Sequence, residues 1–308
     1  MIFKSYDGTV LYCHSRRLKK AKASLLVVHG LGEHSGRYES FIKRVHKMGM
    51  DVHLLDLRGH GRSTGIRGHV DSFEQYYNDL EYWIKHLEGS GVLRMELPCF
   101  LLGHSLGGLI SLGFIAQRKE ITGVKFSGLI LSAPALGIAS LWAPLQYQFS
   151  QKIPRLFKSI HISNGINPSQ LTHDKTVVKD YIDDPLVHSW VTPGFFQGFM
   201  DSVKSLPKLI KHIKIPTLFL LAGNDSIVST EAAEIFAKKL SAAYPGQITI
   251  KIFHKFYHEI FNETKKDRAD LILKKWINTC LNQKKKMNLN LAFSKSSKKK
   301  VTEKGILL

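Results

Sequence analysis

The sequence predicts an α/β fold, a mostly parallel sheet covered by helices on both faces. Three observations carry this. Short runs with no polar residue recur along the chain, and segments of helical period separate them. Such runs suit strands buried on both sides, which is the condition of a parallel sheet. One of these runs, Pro98-Cys99-Phe100-Leu101-Leu102, leads straight into Gly103-His104-Ser105-Leu106-Gly107 and then into an apolar helical segment. Finally, residues 136–205 interrupt the alternation, as an insertion between two strands does.

The elements follow in order. Leu25–Val28 is the first buried strand, and it ends in His29-Gly30-Leu31-Gly32-Glu33-His34. Phe41–Met48 reads as a helix and Val52–Asp56 as the next strand. Asp71 or Ser72 can cap a helix that places Phe73, Tyr76, Tyr77, Leu80, Trp83, Ile84 and Leu87 on one face. The strand before Gly103 and the helix Gly108–Ile115 frame the pentapeptide. Leu129–Leu131 is a strand that Ser132-Ala133-Pro134-Ala135 stops. Thr217–Ala222 is a strand running to Gly223-Asn224-Asp225, a helix follows from about Glu231 to Ala243, and Ile248–Phe253 closes the set. The last helix carries Ala269, Ile272, Leu273, Trp276, Ile277 and Cys280 on one face. The core is therefore expected at residues 1–135 and 206–283, with 136–205 as a cap. That cap is rich in Trp, Phe, Tyr, Ile and Pro, as in Leu141–Phe149.

Charge and cysteine narrow the function classes. The chain has 308 residues and a net charge of +19. Residues 284–308 hold eight lysines against one acid, Glu303, and the rest of the excess is spread without a dense cluster. No recognition helix or RNA-binding signature accompanies it, so nucleic acid is not the expected partner. A lysine-rich tail is in the first place a solvated segment, and in the second a contact for an anionic membrane. Cys13, Cys99 and Cys280 form no disulfide or metal-ligand pattern and read as buried thiols. Met1–Gly8 lacks the apolar region of a signal peptide, and no apolar run is long enough to span a bilayer. A cytoplasmic protein, peripheral at a membrane at most, is the expectation.

The chemistry starts from Ser105. A strand, a sharp turn and a helix are the setting of a nucleophile elbow, in which a strained turn lifts the serine hydroxyl clear of the sheet. A serine needs a base within hydrogen-bond reach and a third group to orient that base. Asp225, at the end of a strand, and His258, in Phe256-Tyr257-His258-Glu259, come in the required order of acid before histidine. His254 is the rival base, and Asp174, Asp183, Asp184 and Asp201 are rival acids within the insertion. Backbone amides of Leu106, after the nucleophile, and of Leu31, in the glycine-rich loop, are the candidate oxyanion donors. That loop has neither the G-x-G-x-x-G nor the Walker pattern of a phosphate cradle.

Several blocks together resemble one family. They are His29–Tyr38, Asp56–Gly65, Gly68–Phe73, Gly103–Gly108, Asp180–Leu186, Gly223–Asp225 and Tyr257–Glu263. In this order they are similar to the monoacylglycerol lipases and the related bacterial lysophospholipases, over roughly residues 5–280. The resemblance implies an α/β-hydrolase fold with a helical cap insertion. It implies a Ser105–His258–Asp225 triad, an oxyanion hole at Leu31 and Leu106, and no metal or organic cofactor. It places Glu33, Arg37, His104 and Tyr181 near the polar glycerol end of a substrate, although Glu33 and Arg37 equally suit a structural ion pair. Lys255 departs from the family, which usually has a glycine three residues before the histidine, so the His258 loop is expected to differ in shape.

The expected activity is hydrolysis of a single-acyl glycerolipid through an acyl-enzyme, with lysophospholipase or broad carboxylesterase as the near alternative. Catalytic silence, the fold serving only to bind, is the alternative of another class. A serine nucleophile argues against dehalogenases and epoxide hydrolases, which use aspartate. A Gly-Leu-Gly-Glu loop argues against proline-releasing peptidases, which carry Gly-Gly-Pro-Gly. The oligomeric state is not legible in the sequence.

Overall fold

Alternation along the apolar runs sorts their side chains into two layers. In the computed structural model, which describes residues 1–118, 123–139 and 159–283, strand β3 (Ala23–Val28) sends Leu26 and Val28 into one core, and Ala23, Leu25 and Val27 into the other. Strand β5 (Cys99–His104) divides in the same way, with Leu101 on one side and Phe100 and Leu102 on the other. Both faces are buried and mostly apolar, and this is why the strands read as near-continuous apolar runs.

Eight strands form the main sheet, in the order β1-β2-β4-β3-β5-β6-β9-β10. The remaining ranges are β1 (Ile2–Lys4), β2 (Val10–Arg16), β4 (Met50–Leu55), β6 (Phe126–Ser132), β9 (Thr217–Ala222) and β10 (Ile248–Phe253). From β4 to β10 every pairing is parallel, whereas β1–β2 and β2–β4 are antiparallel. Helix α1 (Glu39–Lys47) and the helix at 267–283 cover one face. Helices α2 (Glu74–Gly89) and α3 (Leu106–Gln117) cover the other, together with Thr230–Ala243. The sheet is that of an α/β-hydrolase.

Most elements match the sequence reading within two or three residues, but the β1–β2 hairpin escaped it. Its strands are half polar, as in Val10-Leu11-Tyr12-Cys13-His14-Ser15-Arg16, so a search for apolar runs passes over them. The alternation and the Asp7-Gly8 turn, with Gly8 at φ +84°, are the signal that finds it. The helix predicted from Asp71 or Ser72 begins at Glu74. Ser72 Oγ accepts the Glu74 amide at 3.2 Å, and the Gln75 side chain accepts that of Asp71 at 2.8 Å.

Parallel strands bring their C-terminal ends to one edge. Val28 stands beside Gly103, His104 beside Ser132 and Ala222 beside Phe253. The loops after β3, β4, β5, β6, β9 and β10 therefore converge there. Between β6 and β9 the chain leaves the sheet. Its described part holds a small antiparallel pair, β7 (Ile162–Ser163) with β8 (Trp190–Val191), and the helices Lys175–Asp183 and Pro193–Leu209. This segment is fastened to the converging loops. The His188 amide donates to Gly32 O at 2.9 Å, the Glu259 amide to Leu171 O at 2.8 Å and the Thr192 amide to Gly68 O at 3.2 Å. The aromatic run Leu141–Phe149 and the lysine-rich tail lie outside the described residues.

Candidate active site

Ser105 sits between β5 and α3 with φ 52° and ψ −119°, a conformation that L-residues rarely adopt. Two glycines make the turn feasible. A Cβ on Gly103 would lie 2.2 Å from the Gly107 carbonyl oxygen, and a Cβ on Gly107 would lie 2.2 Å from that of Val28. No side chain fits at either position, so α3 packs directly onto β3 and β5. The turn is also bonded into the sheet edge. The Ser105 amide donates to Ser132 O at 3.0 Å, and Ser105 O accepts the Ala135 amide at 3.0 Å.

His258 lies against this serine. Ser105 Oγ donates to His258 Nε2 at 2.8 Å, and His258 Nδ1 donates to Asp225 Oδ2 at 2.7 Å. A carboxylate only accepts, so the proton is on Nδ1 and Nε2 is free to accept. Asp225 is itself oriented, because its Oδ1 accepts the Ile227 and Val228 amides at 2.9 and 3.0 Å. Burial by itself lowers the pKa of His258. The charge and hydrogen bond of Asp225, with smaller contributions from Glu259 and Glu33, outweigh it and raise the imidazole above 6.5. Burial works to raise Asp225, but the charge and bond of His258 and the two amides leave it lowered.

The rivals stand elsewhere. Asp184 accepts from His34 Nε2 at 2.8 Å, Asp174 caps a helix by accepting the Thr176 amide at 3.1 Å, and Asp183 pairs with Lys179. Asp201 lies on the helix Pro193–Leu209, where it lines a separate surface groove. His254 is exposed just past the end of β10. Lys255 is exposed too and has an ordinary negative φ, so the turn that enters the His258 loop needs no glycine.

The loop after β3 runs beside the nucleophile. A Cβ on Gly30 would lie 3.2 Å from that of Ser105. The Gly30 amide is taken up by Glu33 Oε1 at 2.7 Å, and Leu31 is the next residue along. Leu106 is the first residue of α3, where an amide has no acceptor within its own helix. His104 is buried with its ring 4.9 Å from that of His258, and its Nδ1 donates to Ser132 O at 3.1 Å. Burial first, then the neighbouring His258, lowers its pKa. Tyr181 is buried on the helix Lys175–Asp183, with the Arg37 guanidinium 4.6 Å above its ring.

Glu33 and Arg37 are bound to each other. Arg37 Nη1 donates to Glu33 Oε2 at 2.8 Å, and the guanidinium also holds Glu259 through both nitrogens, at 2.7 and 3.0 Å. An ion pair between these residues is what the geometry shows. Glu259 was missed in the sequence, although it directly follows His258. Its partner Arg37 is 222 residues away in the chain, a separation that leaves no local signal.

A buried serine–histidine–carboxylate relay at the C-terminal edge of such a sheet defines a serine hydrolase of the α/β-hydrolase fold. Within that class the chain belongs to the family described as serine aminopeptidase, S33, which matches residues 19–265. It is 31% identical to the monoglyceride lipase of Rattus norvegicus over 261 residues, 83% of this chain and 82% of that one. It is also 31% identical, over 84% of its length, to an uncharacterized abhydrolase domain-containing protein of Dictyostelium discoideum, but it spans only 26% of that protein. The structure of a monoacylglycerol lipase from Paleococcus ferrophilus superposes with a TM-score of 0.76 at 29% identity, covering 88% of this chain and 99% of that one.

Proposed function

We propose that this enzyme hydrolyses the ester of a single-acyl glycerolipid, with Ser105 as nucleophile, His258 as base and Asp225 as its orienting acid. The observation that carries the chemistry is the unbroken relay from Ser105 Oγ through His258 to Asp225. Ser105 Oγ attacks the ester carbonyl carbon as its proton passes to His258 Nε2. The carbonyl oxygen becomes an oxyanion facing the Leu31 and Leu106 amides. Collapse of this intermediate breaks the ester bond, and His258 returns the proton to the departing alcohol. A water then gives its proton to His258 and attacks the acyl-serine, releasing the fatty acid and restoring Ser105.

The substrate class rests on the monoglyceride lipase relatives and on the segment 136–205, which we take to be a cap over the site. Within that segment Tyr181 lies under the Arg37 guanidinium, and we assign the alcohol end of the ester to the region of His104 and Tyr181. A release assay that compares monoacylglycerols, lysophospholipids and short p-nitrophenyl esters tests the assignment. Preference for the monoacylglycerol supports it, and preference for a lysophospholipid moves the substrate to the related phospholipase class.

No helix among the described residues is long and apolar enough to cross a membrane. We propose that residues 284–308 and the cap instead bring the enzyme to an anionic lipid surface, at about 1 kcal/mol per lysine near that surface. Removal of 284–308 should then leave turnover of a soluble short ester unchanged and weaken sedimentation with anionic vesicles at low salt. Equal sedimentation of the two forms would leave the tail as a solvated segment.

A further inference from the structure

Three buried charges span the space between the two loops that serve Ser105. Glu33 is on the loop after β3, Arg37 lies in the 3-10 turn Ser35–Tyr38 that leads into α1, and Glu259 follows His258. Their side chains are 5%, 8% and 5% exposed. Both carboxylates and both Nη atoms of Arg37 are engaged. Glu33 Oε1 accepts the Gly30 amide at 2.7 Å and the Tyr38 hydroxyl at 2.9 Å, while its Oε2 accepts from Arg37. Arg37 grips Glu259 with two nitrogens, and Asn262 Nδ2 donates to Glu259 Oε2 at 2.8 Å. The chain of contacts runs without a gap from the amide next to Leu31 to the residue next to His258. Two carboxylates share one guanidinium, so the group carries one net negative charge at the side of the base.

From this geometry we propose that Glu33, Arg37 and Glu259 form a buried charge strap that holds the oxyanion loop and the base loop in register. Arg37 is then a positioning residue, and not a ligand for the alcohol end of the substrate. This rests on the hydrolase reading given above.

The physical case is one of satisfaction and desolvation. With both Nη atoms committed to carboxylates, the guanidinium can reach a glycerol hydroxyl only through its remaining N–H donors, while its charge is already neutralised. Breaking either pair to bind substrate would strand a buried charge, which costs more than one hydrogen bond to a neutral hydroxyl returns. The planar fork of arginine is also the group that can bridge two carboxylates at once, which a lysine ammonium does poorly. The strap's second effect is electrostatic. His258 is faced by Asp225, by the like-charging His104 ring, and by Glu259 and Glu33, and both of these glutamates favour its charged form.

The test uses the full chain and one acyl group presented as a monoacylglycerol and as a p-nitrophenyl ester. Arg37→Ala should lose at least about tenfold in kcat/KM on both substrates, equally to within threefold, with the loss mainly in kcat. Arg37→Lys should recover only part of it. Glu259→Gln keeps the shape and removes a charge, so the acid limb of its kcat/KM profile should move to lower pH. Should Arg37→Ala not fold, Arg37→Lys and Glu259→Gln carry the comparison. A loss confined to the monoacylglycerol and to KM overturns the strap and makes Arg37 a substrate ligand. An unmoved pH profile in Glu259→Gln overturns its electrostatic part. A wild-type chain that turns over no ester overturns both the strap and the hydrolase reading, and it is recognised because it is read on the unmutated protein.

Discussion

Replacing Asp225 by asparagine should disable the enzyme without unfolding it, and the structure says why. Asp225 uses one oxygen for His258 and the other for the Ile227 and Val228 amides. Those amides only donate, so an asparagine must turn its carbonyl oxygen toward them and its NH2 toward His258. Nδ1 of the imidazole then has to accept, and the ring proton moves to Nε2. There it faces Ser105 Oγ, 2.8 Å away, and the base has become a donor. Loss of a correctly placed tautomer in a serine triad costs about 10^4 in kcat, about 5.4 kcal/mol at 1.36 kcal/mol per decade. KM should change little, because no substrate contact is removed. Steady-state hydrolysis of a p-nitrophenyl ester reads the rate, and a thermal melt within a few degrees of the parent shows that the fold is kept. A variant with more than a tenth of the parent's kcat would refute the argument and send the search for the acid to another carboxylate.

Other consequences can be measured with the same assays. Ser105→Ala should lower ester turnover by at least about a thousandfold and abolish labelling by a fluorophosphonate, while its melting temperature holds. The raised pKa of His258 places the acid limb of kcat/KM above 6.5, because the base must be neutral to act and a falling pH protonates it; a limb well below 6.5 would contradict the charge environment described. Gly107→Ala should destabilise the fold by about 2–4 kcal/mol in denaturant unfolding, since its methyl would press on the Val28 and His29 carbonyls. His60 is fully buried, and its pKa is held well below 6.5, first by burial and then by His29 and His188. The unfolded chain therefore binds a proton that the native state refuses. This contribution to stability is complete above pH 6.5 and is lost as pH falls below it, by up to about 1.4 kcal/mol per unit. His60→Gln should flatten that part of the pH–stability curve measured by urea unfolding.

Ser105 and Asp225 were legible because each closely follows an apolar strand, and His258 because it comes after Asp225 and just past the last strand. A strand buried on both faces is mostly apolar, so a cluster of polar residues past its C-terminal end announces the loop where chemistry sits. Chain order and local pattern thus sufficed for β3, β4, β5, β6, β9 and β10, for the elbow and for the candidate relay, but not for the two-residue strands β7 and β8. They did not suffice for β1 and β2, whose half-polar alternation lacks that contrast. They also left open whether Glu33 and Arg37 face a substrate or each other. That choice depends on Glu259, brought from the far end of the chain to within 2.7 Å of Arg37 only when the parallel sheet aligns its strand ends. Periodicity reports which face of an element is buried, because burial follows from composition. Which buried charge meets which follows from distances between elements remote in sequence, and only the tertiary structure sets those.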